Sequence, residues 1–118
     1  QMNDQHLIQG TWRLTAGERH GVPFSADVLR AVAITFDGDT LTTKTGAGSH
    51  ANRFALDPTR LPKCIDMEQQ GVWGEGIYEL DGDTLTILHN EVGTSRPKNF
   101  DPKQAPQSTL MILARTKP

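Results

Sequence analysis

The chain has 118 residues, a net charge of −2 and acids and bases well mixed, which suits one domain (1–118) burying roughly two-thirds of its unfolded surface. The single cysteine, Cys64, excludes an internal disulfide, and the absence of a basic stripe argues against nucleic acid as a partner. No apolar run approaches the ~20 residues that cross a bilayer, so no membrane span is expected; the compartment is undecided between cytoplasmic and exported after processing.

In chain order, residues 4–9 predict one helical turn with Asn3 or Asp4 as N-cap. "GTWRLT" at 10–15 predicts the first strand, and Ser25 caps a short helix over 25–30. Strands follow at 32–36 and 40–45, then the turn "TGAGS", then a strand at 49–56. "DPTRLP" turns the chain into a strand at 63–67. "EQQGVWGEG" reads as a loop or a ragged strand end. Strands at 76–80 and 84–89 precede a long loop, 90–108, rich in Pro, Asn, Ser and Lys, and a last strand spans 108–115. The eleven glycines and seven prolines fall between short apolar segments, as turns do in an all-β domain.

One phrase occurs twice: "FDGDTLT" at 36–42 and "LDGDTLT" at 80–86. Alternating apolar residues around a Gly signal a tight hairpin. A loop at Gly38-Asp39 sets Phe36 opposite Leu41 and Ile34 opposite Thr43; one at Gly82-Asp83 sets Leu80 opposite Leu85 and Tyr78 opposite Ile87. Slipping either register by one residue would break these apolar pairs. A calcium loop needs more spaced oxygen ligands and a distal Glu, which neither copy supplies, so the phrase is scaffold. Eight short strands joined mostly by short turns predict an all-β, eight-stranded, up-and-down antiparallel barrel with a short helix near its open end. Such a barrel has an interior that side chains fill or that holds one small ligand.

The stretches "LIQGTWRL", "FALDPTRLPKCIDM" and "GIYELDGDTLTIL" resemble the small lipocalin-like domain that recurs in planctomycete bacterial proteins. The likeness covers roughly residues 7–115. It implies the fold and no particular chemistry. The wider lipocalin likeness implies a plug at one end, in which a Trp of a first-strand Gly-x-Trp packs under a basic residue of the last strand. The matching residues are Gly10, Trp12 and Arg115.

With that plug at the closed end, both Asp-Gly-Asp turns fall there too, and alternation places other residues at the mouth. His50 and Asn52 share parity with Phe54 and Leu56; His89 shares parity with Leu85 and Ile87. His20, Trp73 and Glu75 lie in loops at the mouth end, and Tyr78 points inward opposite Ile87.

The first expectation is therefore a binding domain for a small apolar or amphipathic molecule, lined by His50, Asn52, Trp73, Tyr78, Ile87 and His89. A second is a small barrel enzyme. His20, His50 and His89 would form a three-histidine zinc site with Glu75 or Glu91 as base, or, without metal, a His would act as acid/base while Tyr78 polarises a carbonyl. The spacing matches no recognised metal motif. A third is a non-catalytic protein-interaction module built on the 90–108 loop with Arg96, Lys98, Lys103 and Phe100. Cys64 alternates with Ile65 and Met67, so it points outward with Asp66, a surface carboxylate, and lacks the neighbours that activate a thiol.

Overall fold

The computed structural model describes residues 3–91 and 94–116. Two short helices, α1 (Asp4–Leu7) and α2 (Ala26–Ala31), accompany nine strands. These are β1 (Gly10–Arg19), β2 (Val22–Pro23), β3 (Ala33–Asp37), β4 (Thr40–Thr45), β5 (Gly48–Asp57), β6 (Lys63–Gln69), β7 (Val72–Asp81), β8 (Thr84–Asn90) and β9 (Ser108–Arg115). Each strand from β3 to β9 pairs antiparallel with the next, β3 also pairs with β1, and β1 pairs with β9. This closes an eight-stranded barrel, with the short β2 added outside β1.

Both repeated phrases form two-residue hairpin turns. Gly38 and Gly82 hold φ of +64° and +59°, and neither following Asp has positive φ; Gly at the first central position is what a type II′ turn requires. The registers are those the apolar alternation demands: Phe36 faces Leu41, Ile34 faces Thr43, Leu80 faces Leu85 and Tyr78 faces Ile87. The inward residues Trp12, Leu14, Ile34, Phe36, Leu41, Phe54, Ile65, Tyr78, Leu85, Ile87 and Leu113 form one buried core, with Ile8 closing it from below.

Two boundaries differ most from the sequence-based expectation. β1 runs on to Arg19: past a bulge at Thr15, which shifts the register between Leu14 and Ala16, it keeps pairing with β9 from Ala16↔Ile112 to Arg19↔Thr109. At the bulge the Thr15 hydroxyl donates to the Ile112 carbonyl at 3.0 Å. β7 begins at Val72, so "VWGEG" is strand, not loop. The turn before it is Gln70-Gly71, both at positive φ, as a type I′ hairpin needs. Gly74 and Gly76 are strand-interior glycines whose missing side chains leave room for His89. Glycine serves packing at these two positions, where its frequency suggested a turn.

The closed end is built around Trp12. Arg115 lies over the indole, its Cζ 4.2 Å from the ring centroid. The same guanidinium donates to the carbonyls of Leu7 (2.5 Å) and Gln9 (3.0 Å) and contacts Asp83 at 3.3 Å. It thereby satisfies carbonyls at the end of α1, while the Trp12 indole N–H donates to Ile8 at 2.9 Å. Gln9 both donates to and accepts from the Gly38 backbone, tying the first Asp-Gly-Asp turn to this end. Helix α2 sits at the opposite end, where Phe24, Leu29 and Val32 pack onto the core.

The outer face carries a second apolar layer. Cys64, Ile77 and Leu88 are register neighbours across β6, β7 and β8, point outward and are buried. The connection between β8 and β9 folds back toward this face. Arg96 donates to Asp66 (2.7 Å), to Glu75 (3.2 Å) and to the Gly76 carbonyl (2.7 Å). Asp66 is thus an ion-pair partner, and Arg96 is turned inward, away from the partner surface expected of this loop. No helix among the described residues is long and apolar enough to cross a membrane.

Candidate functional site

The open end holds two of the expected residues beside a notch. The β5–β6 ladder runs from Asp57↔Cys64 to Phe54↔Met67 and stops, although β5 extends back to Gly48 and β6 on to Gln69. The strands splay beyond that point. One side-chain bond crosses the gap, from Asn52 Nδ2 to the Glu68 carbonyl at 2.8 Å. The notch has a volume of about 630 Å³ and is lined by His50, Ala51, Asn52, Gln69, Gln70 and Val72. The β4–β5 register is unbroken from Thr40↔Arg53 to Thr45↔Gly48, so His50 keeps the inward parity of Phe54 but sits exposed at the rim.

His89 lies deeper, on the inward face of β8. A Cβ at Gly74 would stand 2.8 Å from its Nε2, and one at Gly76 would stand 3.2 Å from its Cδ2. The imidazole therefore rests on a two-glycine floor. Its Nε2 is buried with no hydrogen bond of good geometry; the Gly74 backbone lies close enough to act on the ring without making one. Burial lowers its pKa below the ordinary histidine value, against smaller opposing pulls from the Gly74 backbone and Asp66. The ring is neutral at pH 7, with one nitrogen a donor and the other an acceptor.

The other expected residues go elsewhere. Tyr78 is inward, as its parity demands, but its hydroxyl donates to Asp4 Oδ2 at 2.6 Å, in the α1 region of the closed end. Lys63 Nζ reaches the same oxygen at 2.9 Å. Burial, reinforced by Asp4, pushes the phenol's pKa well above its usual value, so Tyr78 stays a neutral donor engaged with Asp4 rather than polarising a substrate carbonyl. Ile87 is buried in the packed core opposite Tyr78. Trp73 shares parity with Glu75 and Ile77 and points outward, 41 % exposed. It lines an outer concavity with Asp66, Glu75, Thr94 and Ser95, not the mouth.

The three-histidine zinc site does not assemble. Among the described residues no three His, Cys, Asp or Glu side chains gather to hold a metal ion. The strand order explains this: β1, β5 and β8, which carry or adjoin His20, His50 and His89, are two or three strands apart around the barrel. His20 occupies the β1–β2 turn at φ +51° and pairs with Glu91 at 2.7 Å. Sequence reasoning passed over Gly74, Gly76 and the notch residues Gln69 and Gln70. The alternation Gly74, Gly76, Tyr78 on one face opposite His89 was a usable signal once that segment is taken as strand.

No family model, curated protein or solved structure matches this sequence.

Proposed function

We propose that the barrel binds a small amphipathic molecule at its open end. The observation that carries this reading is the buried, unpartnered Nε2 of His89. Leaving such a group unsatisfied costs about 1–3 kcal/mol, and native proteins rarely keep such groups without a partner such as water or ligand. A ligand hydroxyl satisfies either tautomer, since it donates and accepts. The rest of the molecule would lie against Met67 and Met111, partly buried residues packed on the core. His50 and Asn52 would meet its exposed end at the notch. The lower barrel is occupied by side chains that are 0–3 % exposed, so the ligand sits shallow.

The test follows the His89 ring nitrogens by NMR while 1-octanol is added. A saturable shift of Nε2, with affinity reduced roughly tenfold or more by His89→Ala, is the expected result. An unmoved His89 signal, or equal binding in the variant, would overturn the assignment.

A further inference from the structure

A second feature lies outside the barrel. On the outer face of β6 and β7, Asp66 faces Glu75 and Glu68 faces Trp73 in register. The indole is 41 % exposed and offers a flat apolar face with an N–H donor at its edge. Two concavities adjoin it along the wall formed by Thr94 and Ser95. One, of about 410 Å³, holds Trp73, Asp66 and Glu75. The other, of about 510 Å³, lies within the 94–107 connection and is walled by the amides Asn90, Asn99, Gln104 and Gln107 together with Arg96, Lys98 and Asp101. Both fall in the size range of small-molecule sites.

The chemistry of the lining narrows the ligand. Arg96 already occupies Asp66 and Glu75, at 2.7 and 3.2 Å, so an incoming cation would have to displace it. An anion would meet three carboxylates, Asp66, Glu75 and Asp101, against Lys98 and the Arg96 already paired with two of them. What remains is a set of amides and hydroxyls, of which Asn99 already donates to Gln104 at 3.1 Å and Asn90 to the Ser95 carbonyl, with carboxylate oxygens that accept and one flat indole. Hydroxyl groups match the first two, and the C–H face of a sugar ring matches the third.

We propose that this outer groove binds a neutral oligosaccharide, with Trp73 as the stacking platform and the amides of the 94–107 connection reading the hydroxyls. The site is separate from the barrel mouth and does not depend on the ligand proposed there.

The probes are maltotriose, cellotriose, xylotriose and chitotriose, each titrated to about 10 mM while the Trp73 indole N–H is followed by NMR. The expected result is a saturable shift with at least one of them, at a dissociation constant near or below ~1 mM. Trp73→Ala should weaken that binding by roughly tenfold or more, and Trp73→Phe, which keeps a ring, by only about threefold. Trp73 is exposed, so both variants should fold, and octanol binding at the mouth should be unchanged in them. No saturable shift with any of the four sugars, or undiminished affinity in Trp73→Ala, would overturn the proposal. So would sedimentation showing a dimer whose Trp73 signal moves on dilution, because a second copy would then be the groove's occupant.

Discussion

Truncating Trp12 to alanine tests the closed end most directly. The side chain is 0 % exposed, and a buried tryptophan removes about 200 Å² from water. At about 25 cal/mol/Å² that burial alone is worth about 5 kcal/mol, an upper figure because the unfolded chain already hides part of the area. The Arg115 contact over the ring, 4.2 Å from its centroid, adds about 1–2 kcal/mol where it is desolvated. Relaxation around the gap returns some of this. The expected loss for Trp12→Ala is therefore about 3–5 kcal/mol, or a fall in melting temperature of roughly 10–25 °C at this chain length. Trp12→Phe keeps a ring under the guanidinium but loses the N–H to Ile8, and should lose only about 1–2 kcal/mol. Urea unfolding followed by far-UV circular dichroism measures both. If Trp12→Ala unfolds within about 1 kcal/mol of wild type, the plug does not stabilise the barrel as argued.

Two further outcomes follow from the same contacts. Burial alone would raise the Asp4 carboxyl, but hydrogen bonds from Tyr78 and Lys63 and the Lys63 charge outweigh it and hold the pKa below the usual value. Its stabilising effect is present above the unfolded value near 3.9 and fades as pH falls through the lower folded value. His89 is also depressed by burial, so the unfolded chain takes up its proton first and stability is lost as pH falls below about 6.5. The urea midpoint of wild type should thus fall below about pH 6.5 and again below about pH 4. His89→Gln should lose the first decline and Asp4→Asn part of the second; variants that track wild type through these windows would contradict the assignments. Gly74→Ala would place a Cβ 2.8 Å from His89 Nε2, forcing the ring to shift at a cost of about 1–3 kcal/mol. Adding His89→Ala should recover part of that loss, because the two positions share one space; strictly additive losses would mean that the ring does not rest on Gly74.

The short-range features were legible in the sequence. Phe36 opposite Leu41 and Tyr78 opposite Ile87 are separated by a few residues of chain, and a two-residue turn with Gly first leaves one register open to them. The inward parity of Phe54, Asn52 and His50 also carried over, because no bulge interrupts the β4–β5 ladder. Trp73 was misplaced because its segment read as loop. Counted back along β7 from Tyr78, the same parity rule turns it outward with Ile77 and Glu75.

The sequence alone determined the hairpins, the inner face of most strands and the barrel they imply, since alternation and turn chemistry act between near neighbours. Only the tertiary structure decided where the long-range partners go. Tyr78 and Asp4 are 74 positions apart, and their hydrogen bond draws the phenol to the closed end. Arg96 meets Asp66 and Glu75 from 30 and 21 positions away, and so turns from a free cation into a clasp over the outer face. The bulge at Thr15 arises only where β1 meets β9. Loop closure brings these groups together only after the local strands exist, and no local pattern of residues encodes which distant group a side chain will meet.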